Sequence, residues 1–104
     1  MKILVTGGLG AIGRALTQEL GKRGNEVWGC DLAHSNLDTY MRCDVRHLRQ
    51  VERLFDARSF DCVYHLAAEY GRWNGEDYYE NLWLTNVVGT KNMLTAQQKH
   101  GFRM

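Results

Sequence analysis

Four glycines near the amino terminus and one aspartate beyond them are the residues whose types and spacing can do chemistry. Gly7, Gly8, Gly10 and Gly13 follow a short aliphatic run, Lys2-Ile3-Leu4-Val5, and lead into Ile12, Ala15, Leu16 and Leu20, which recur at helical spacing. Strand, glycine turn, helix is the setting in which a glycine fingerprint carries meaning. Two registers fit: Gly8, Gly10 and Gly13 give GxGxxG, and Gly7, Gly10 and Gly13 give the wider GxxGxxG. In either, glycine permits the turn and lets bare backbone approach a diphosphate, whose charge is received by the N–H groups and dipole at the helix start. Asp31 ends the second predicted strand, where a carboxylate accepts hydrogen bonds from a ribose 2′-hydroxyl and repels a 2′-phosphate, favouring NAD over NADP. A triphosphate loop needs GxxxxGK[ST]; Gly8 and Gly13 keep that spacing, but Arg14-Ala15 stand where the lysine and hydroxyl belong.

Composition closes off other chemistries. Lys+Arg 13 against Asp+Glu 12 leaves the 104 residues with a formal charge of +1, and basic residues never run beyond a pair. That is not the basic face of a nucleic-acid binder, so no nucleic-acid partner is expected. Nothing approaches the ~18 apolar residues of a membrane span. The opening apolar run also stops at Thr6, short of the ~7 residues that a signal-peptide core needs. Neither a membrane partner nor export is expected. Cys30, Cys43 and Cys62 form an odd set without CxxC or zinc-type spacing. Each falls in a predicted strand and reads as a small buried hydrophobe in a reduced, cytoplasmic setting, with no metal site. Ser35 and Ser59 have no His/Asp pattern around them for nucleophilic catalysis.

The elements that must position the glycines and Asp31 follow from periodicity. After the first strand and a helix that Gly24 can end, strands are predicted at 26–31 and 39–43. A helix over 46–56 is striped by Leu48, Val51 and Phe55, and a strand over 61–66 runs into Ala67-Ala68. Asp77 and Glu80 form a capping box for a long helix over 78–99 closed by Gly101. Its apolar residues make two stripes, Tyr79/Trp83/Val87/Leu94 and Leu84/Val88, wider than one sheet face needs. Strands alternating with helices imply an α/β fold, a Rossmann-type doubly wound parallel sheet of at least four strands. With no proline, repeat or linker, residues 1–104 read as one domain or part of one. Phe102-Arg103-Met104 stand where a fifth strand would start, so the sequence reads as cut short.

Four motifs carry a family resemblance: Thr6-Gly7-x-x-Gly10-x-x-Gly13, Asp44-Val45, His65-Leu66-Ala67-Ala68 and Asn86-Val87-Val88-Gly89-Thr90. In this order the chain resembles the N-terminal half of the extended short-chain dehydrogenase/reductases, nearest the NAD-dependent epimerases and dehydratases of sugar nucleotides. The resemblance implies that Gly7, Gly10, Ala11, Ile12 and Gly13 wrap the pyrophosphate and that Asp31 holds the adenosine ribose. It implies further that Asp44 and Val45 border the adenine, that Leu66, Ala67 and Ala68 line the cofactor, and that Asn86 supports the polar network of the site. It also implies a sugar-nucleotide substrate for the full-length protein and a homodimer paired through the helix at 78–99. Asp44 reads equally as the N-cap of the second helix. His65 reads as a packed or capping histidine, and Arg14 as an exposed helical arginine. Gly89, costly inside a helix, predicts close packing of another element. Arg72 and Trp73, in the 69–77 loop, would border the nicotinamide and substrate by analogy.

The family's chemistry rests on a Tyr-x-x-x-Lys pair. Four residues after Tyr40, Tyr64, Tyr70, Tyr78 and Tyr79 come Asp44, Ala68, Asn74, Leu82 and Trp83, so no catalytic residue is assigned within this chain. The expectation is the NAD-binding portion of an epimerase or dehydratase. The alternative is a non-catalytic module that binds or senses the dinucleotide.

Overall fold

The computed structural model describes residues 1–70 and 79–104. Short aliphatic strands alternate with helices in the order β1 (Lys2–Thr6), α1 (Ala11–Lys22), β2 (Glu26–Asp31), β3 (Tyr40–Arg42), α2 (Leu48–Ala57) and β4 (Cys62–His65). All pairings are parallel, in the order β3-β2-β1-β4. Strand order therefore reverses between β1 and β4, where Thr6 stands opposite both Cys30 and His65. A parallel sheet leaves a crevice at such a point, outside the carboxyl ends of its strands.

Alternation along β1 divides the interior in two. Ile3 and Val5 pack on one face with Leu20, Leu16 and Val27. Leu4 packs on the other with Trp28, Val51, Phe55, Val63 and Met93. Both faces are thus covered, as a doubly wound sheet requires. On the second face Phe55 stacks on Phe102 at 4.6 Å between ring centroids and meets Phe60 edge-on at 6.0 Å. Burying one such ring contributes roughly 1.5–3 kcal/mol.

Three expectations are corrected in register. The buried side of α1 is Gly13, Leu16 and Leu20, while Ile12 is 74% exposed and Ala15 lies outside as well. The cause is at Gly13, where a Cβ would stand 2.2 Å from the Gly7 carbonyl oxygen, so the helix presents this residue to the loop. Helix α2 begins at Leu48 rather than 46, with His47 at its N-cap. Asp44 is therefore not that cap. Its Oδ1 accepts the Arg46 N–H at 3.1 Å in a turn closed by His47 N–H on the Asp44 carbonyl at 3.1 Å.

The long helix is the third correction. Residues 79–100 wind as α3 (Tyr79–Leu82), a π-helical stretch (Trp83–Val88) and α4 (Gly89–His100). Gly101, at φ 76°, ends it in the left-handed region and donates its N–H to Gln97 O at 2.8 Å. The expected capping box at Asp77 and the loop residues Arg72 and Trp73 lie outside the described residues. Gly89 is pressed against Val45, whose Cγ2 would be 2.7 Å from an added Cβ, so the close packing anticipated there is present. Of the two stripes, Tyr79, Trp83, Val87 and Leu94 are exposed, and Leu84 and Val88 are half-buried. Beyond Gly101, Arg103 runs parallel to β4, donating to Asp61 O at 3.1 Å and accepting from Val63 N–H at 2.7 Å. A single parallel bridge between Cys62 and Arg103 thus lies along the β4 edge of the four-stranded sheet.

Candidate functional site

The glycine loop is built by deleting side chains. Gly7 holds φ 68°, a region costly for any other L-residue, and a Cβ there would touch the Ala67 backbone nitrogen at 3.0 Å. Gly10 N–H closes the turn onto Gly7 O at 3.1 Å. Gly10 is also the N-cap of α1 and has no side chain to cap it. The first amides of a helix have no partner inside it, so those of Ala11, Ile12 and Gly13 remain for a ligand. Gly8 serves a different contact: its Cβ would meet Gly29 Cα at 3.1 Å, which lets the loop lie against β2.

Asp31 is fixed to this loop. Its Oδ2 accepts the Leu9 N–H at 3.0 Å and its Oδ1 the Leu32 N–H at 2.8 Å. A cavity of about 240 Å³ opens between loop and carboxylate at the switch point. The glycine loop gives it Gly7 and Gly10, the ends of β2 and β3 give Asp31, Asp44 and Val45, and the segment after β4 gives Leu66, Ala67 and Ala68. Ala11, Ile12, Gly13 and Asn86 do not line it. Sequence reasoning missed Cys30, Leu32, Cys43, Glu69 and Thr85 in the lining. The first three flank Asp31 and Asp44 at strand ends, a signal that was readable; Thr85 lies on the π-helical stretch, which periodicity does not reveal.

Polar groups near the cavity are held by side chains. Arg46 donates through Nε to both Asp44 oxygens at 3.1 Å and through Nη2 to Oδ2 at 2.7 Å, and reaches Asn81 through Nη1 at 2.9 Å. Those bonds outweigh partial burial and keep the Asp44 carboxyl below the usual carboxylate range, hence ionised. The Cys30 thiol is pushed up by its hydrogen bond to Cys43 and by burial. Asn86 pins Glu69 twice, accepting its N–H and donating to its carbonyl, each at 2.8 Å. The buried Asn92 donates to Val45 O at 2.8 Å. His65 bridges Thr6 at 2.8 Å through Nδ1 and Thr90 at 3.2 Å through Nε2, and burial lowers its pKa.

A larger groove of about 980 Å³ runs between β3 and α2, lined by Arg42, Arg46, Arg49 and Arg53 over Met41 and Leu54. It borders the start of α2 at His47, which carries no side-chain cap, but it has no glycine turn; the glycine turn and Asp31 belong to the smaller cavity. Among the described residues no cluster of three or more His, Cys, Asp or Glu is placed to hold a metal ion, and no helix is long and apolar enough to cross a membrane.

Comparison with known proteins bears on the family and the fold. The sequence model of the NAD dependent epimerase/dehydratase family matches residues 3–104. A 2-alkyl-3-oxoalkanoate reductase of Stenotrophomonas maltophilia is 34% identical over 109 residues, covering 97% of this chain and 31% of that protein. The UDP-glucose 4-epimerase of Streptomyces lividans is 34% identical over 114 residues, covering 98% of this chain and 33% of that protein. The chain thus spans about a third of the length of these relatives. The crystal structure of the Bordetella bronchiseptica enzyme WbmH in complex with NAD+ superimposes with a TM-score of 0.80 at 31% identity, over 96% of this chain and 36% of that one.

Proposed function

The chain belongs to the NAD dependent epimerase/dehydratase family, and from that premise we propose that it binds NAD in the cavity at the β1–β4 switch point. The observation that carries this reading is the pairing of Asp31 with the glycine loop through Leu9 N–H, facing the same cavity as Gly7 and Ala67. Gly7 and Gly10, with the free amides of Ala11, Ile12 and Gly13, receive the pyrophosphate, and Asp31 receives the hydroxyls of the adenosine ribose. Asp44 and Val45 border the adenine, and Leu66, Ala67 and Ala68 lie along the cofactor. Asn86 acts at one remove by fixing Glu69. The bound dinucleotide supplies a hydride acceptor.

In the full-length protein the substrate is a sugar nucleotide, oxidised at a sugar carbon so that epimerisation or dehydration can follow. Residues 1–104 serve there as the cofactor-binding part. A reductase and an epimerase match this segment at the same identity, 34% in both, so identity over these residues does not distinguish the two reactions. The exposed Tyr79, Trp83, Val87 and Leu94 pair two copies into a homodimer; light scattering of the full-length protein checks this, and a monomer refutes it. Three free cysteines suit a cytoplasmic setting.

Titration calorimetry tests the cofactor assignment. Asp31→Ala should weaken NAD by roughly tenfold, the loss of about 1.4 kcal/mol of charged hydrogen bonding, and should weaken NADP less. An unchanged preference between the two removes Asp31 from the ribose.

A further inference from the structure

His65 carries hydrogen bonds that neither the glycine loop nor Asp31 explains. It ends β4 opposite Thr6 of β1 and reaches Thr90 of α4, joining three elements around the cavity. The direction of each bond follows from donor counting. Thr6 Oγ1 accepts the backbone N–H groups of Leu66 at 3.0 Å and Ala67 at 3.1 Å, which fills both lone pairs of its hydroxyl. Its proton therefore goes to His65 Nδ1, making Nδ1 the acceptor. At the other end Thr90 donates its hydroxyl proton to Asn86 O at 2.7 Å, so it accepts from His65 Nε2–H. The ring is fixed as the neutral Nε2–H tautomer.

We propose that His65 is a positioning residue for the dinucleotide: its neutral ring orders the Thr6 hydroxyl that holds the Leu66–Ala67 wall of the cavity, and locks that wall to the segment bearing Asn86. The inference rests on the dinucleotide reading above. Protonation would undo the arrangement. An imidazolium has no acceptor at Nδ1, and its new N–H would meet a Thr6 oxygen already accepting two bonds, while the Thr6 proton would lose its partner. The groups facing the ring are the hydroxyls of Thr6 from β1 and Thr90 from α4. No carboxylate or cation of β1, β4 or α4 displaces its titration, which burial alone lowers. The neutral form therefore prevails at pH 7, and the wall loosens only as pH falls below the ordinary histidine value of about 6.5.

The test measures NAD affinity of the protein by calorimetry from pH 7.5 to 5. Wild type should weaken by about threefold or more across the lower half of that range, above the region near pH 4 where carboxyls ordinarily titrate. His65→Asn offers an acceptor in place of Nδ1 that does not titrate, so it should keep most of the pH 7 affinity and flatten the profile. His65→Leu should bind weakly at every pH. A wild-type profile that is flat, or one that His65→Asn leaves equally steep, overturns the proposal. Long-range 1H–15N spectra of wild type at pH 7 provide a readout that needs no variant and no cofactor. The Nε2–H pattern is expected, and an Nδ1–H tautomer or an imidazolium overturns the bond directions. Absence of NAD binding at any pH refutes the dinucleotide assignment itself, and the spectra then judge the tautomer separately.

Discussion

The glycine loop and the 86–92 segment shape the same cavity by opposite means. In the loop, Gly7 and Gly13 work because they have no side chain: backbone of the loop, of Ala67 and of α1 comes within distances that a Cβ would occupy. In the helical segment, Asn86, Thr90 and Asn92 work because of what their side chains reach, namely Glu69, His65 and Val45. Gly89 sits between the two modes, since it admits Val45 but meets a methyl group rather than backbone. A site made from bare backbone is rigid to substitution, whereas one made from side-chain bonds can be weakened one bond at a time.

That contrast can be broken by substitution, most severely at Gly13. Gly13→Ala places a carbon 2.2 Å from a carbonyl oxygen, and overpacking against backbone should cost about 1–3 kcal/mol in urea unfolding together with most of the NAD affinity. Full retention of both would mean that the loop yields easily and the contrast is false. Asn92→Ala comes next. It strands a buried carbonyl of Val45 and should cost about 1–2 kcal/mol, with NAD affinity reduced only as far as Val45 shifts; a thermal melt unchanged from wild type would show that water replaces the amide.

Gly89→Ala should cost less than Gly13→Ala. The Val45 side chain can move, and alanine regains about 1 kcal/mol of helix propensity. Equal losses at the two glycines would erase the distinction drawn here. The smallest effect is electrostatic. Arg46 lowers the folded-state pKa of Asp44. The stabilisation is therefore complete above the unfolded value of about 3.9 and is lost as pH falls through the lower folded value. Melting temperature should drop more steeply below pH 4 in wild type than in Arg46→Gln, and parallel curves would assign the acid sensitivity to other groups.

The same contrast explains what could be read from the sequence. Glycine spacing after an aliphatic strand reports a backbone shape directly, so the loop, Asp31 and the four-stranded order of elements were legible from Lys2 onward. Ile12 misled because an apolar side chain was given more weight than the glycine beside it, although Gly13 is the residue that faces the loop. Asp44 misled because an Asx turn and an N-cap use the same carboxylate geometry within a few residues of each other. The roles of His65, Thr90 and Asn92 were not legible, because a polar residue on a helix or at a strand end does not announce which distant group it will meet. The π-helical winding of Trp83–Val88 was hidden for a related reason: the apolar stripes of 79–94 fit an ordinary helix, and nothing in their spacing marks a wider turn.

Trp83–Val88 winds wider than the helices on either side, and that local surplus of chain has a consequence for the molecule's exterior. Each residue of an ordinary helix turns the chain by about 100° and each residue of the wider i→i+5 winding by roughly 80°, so the six residues of this stretch sweep about the angle that one residue fewer would sweep in an ordinary helix. The wide turn thus stores one extra amino acid without re-aiming the exposed aromatic ridge: a one-codon deletion within it would let the span coil regularly and leave Tyr79 at nearly its present bearing relative to the interior anchors Asn92 and Met93.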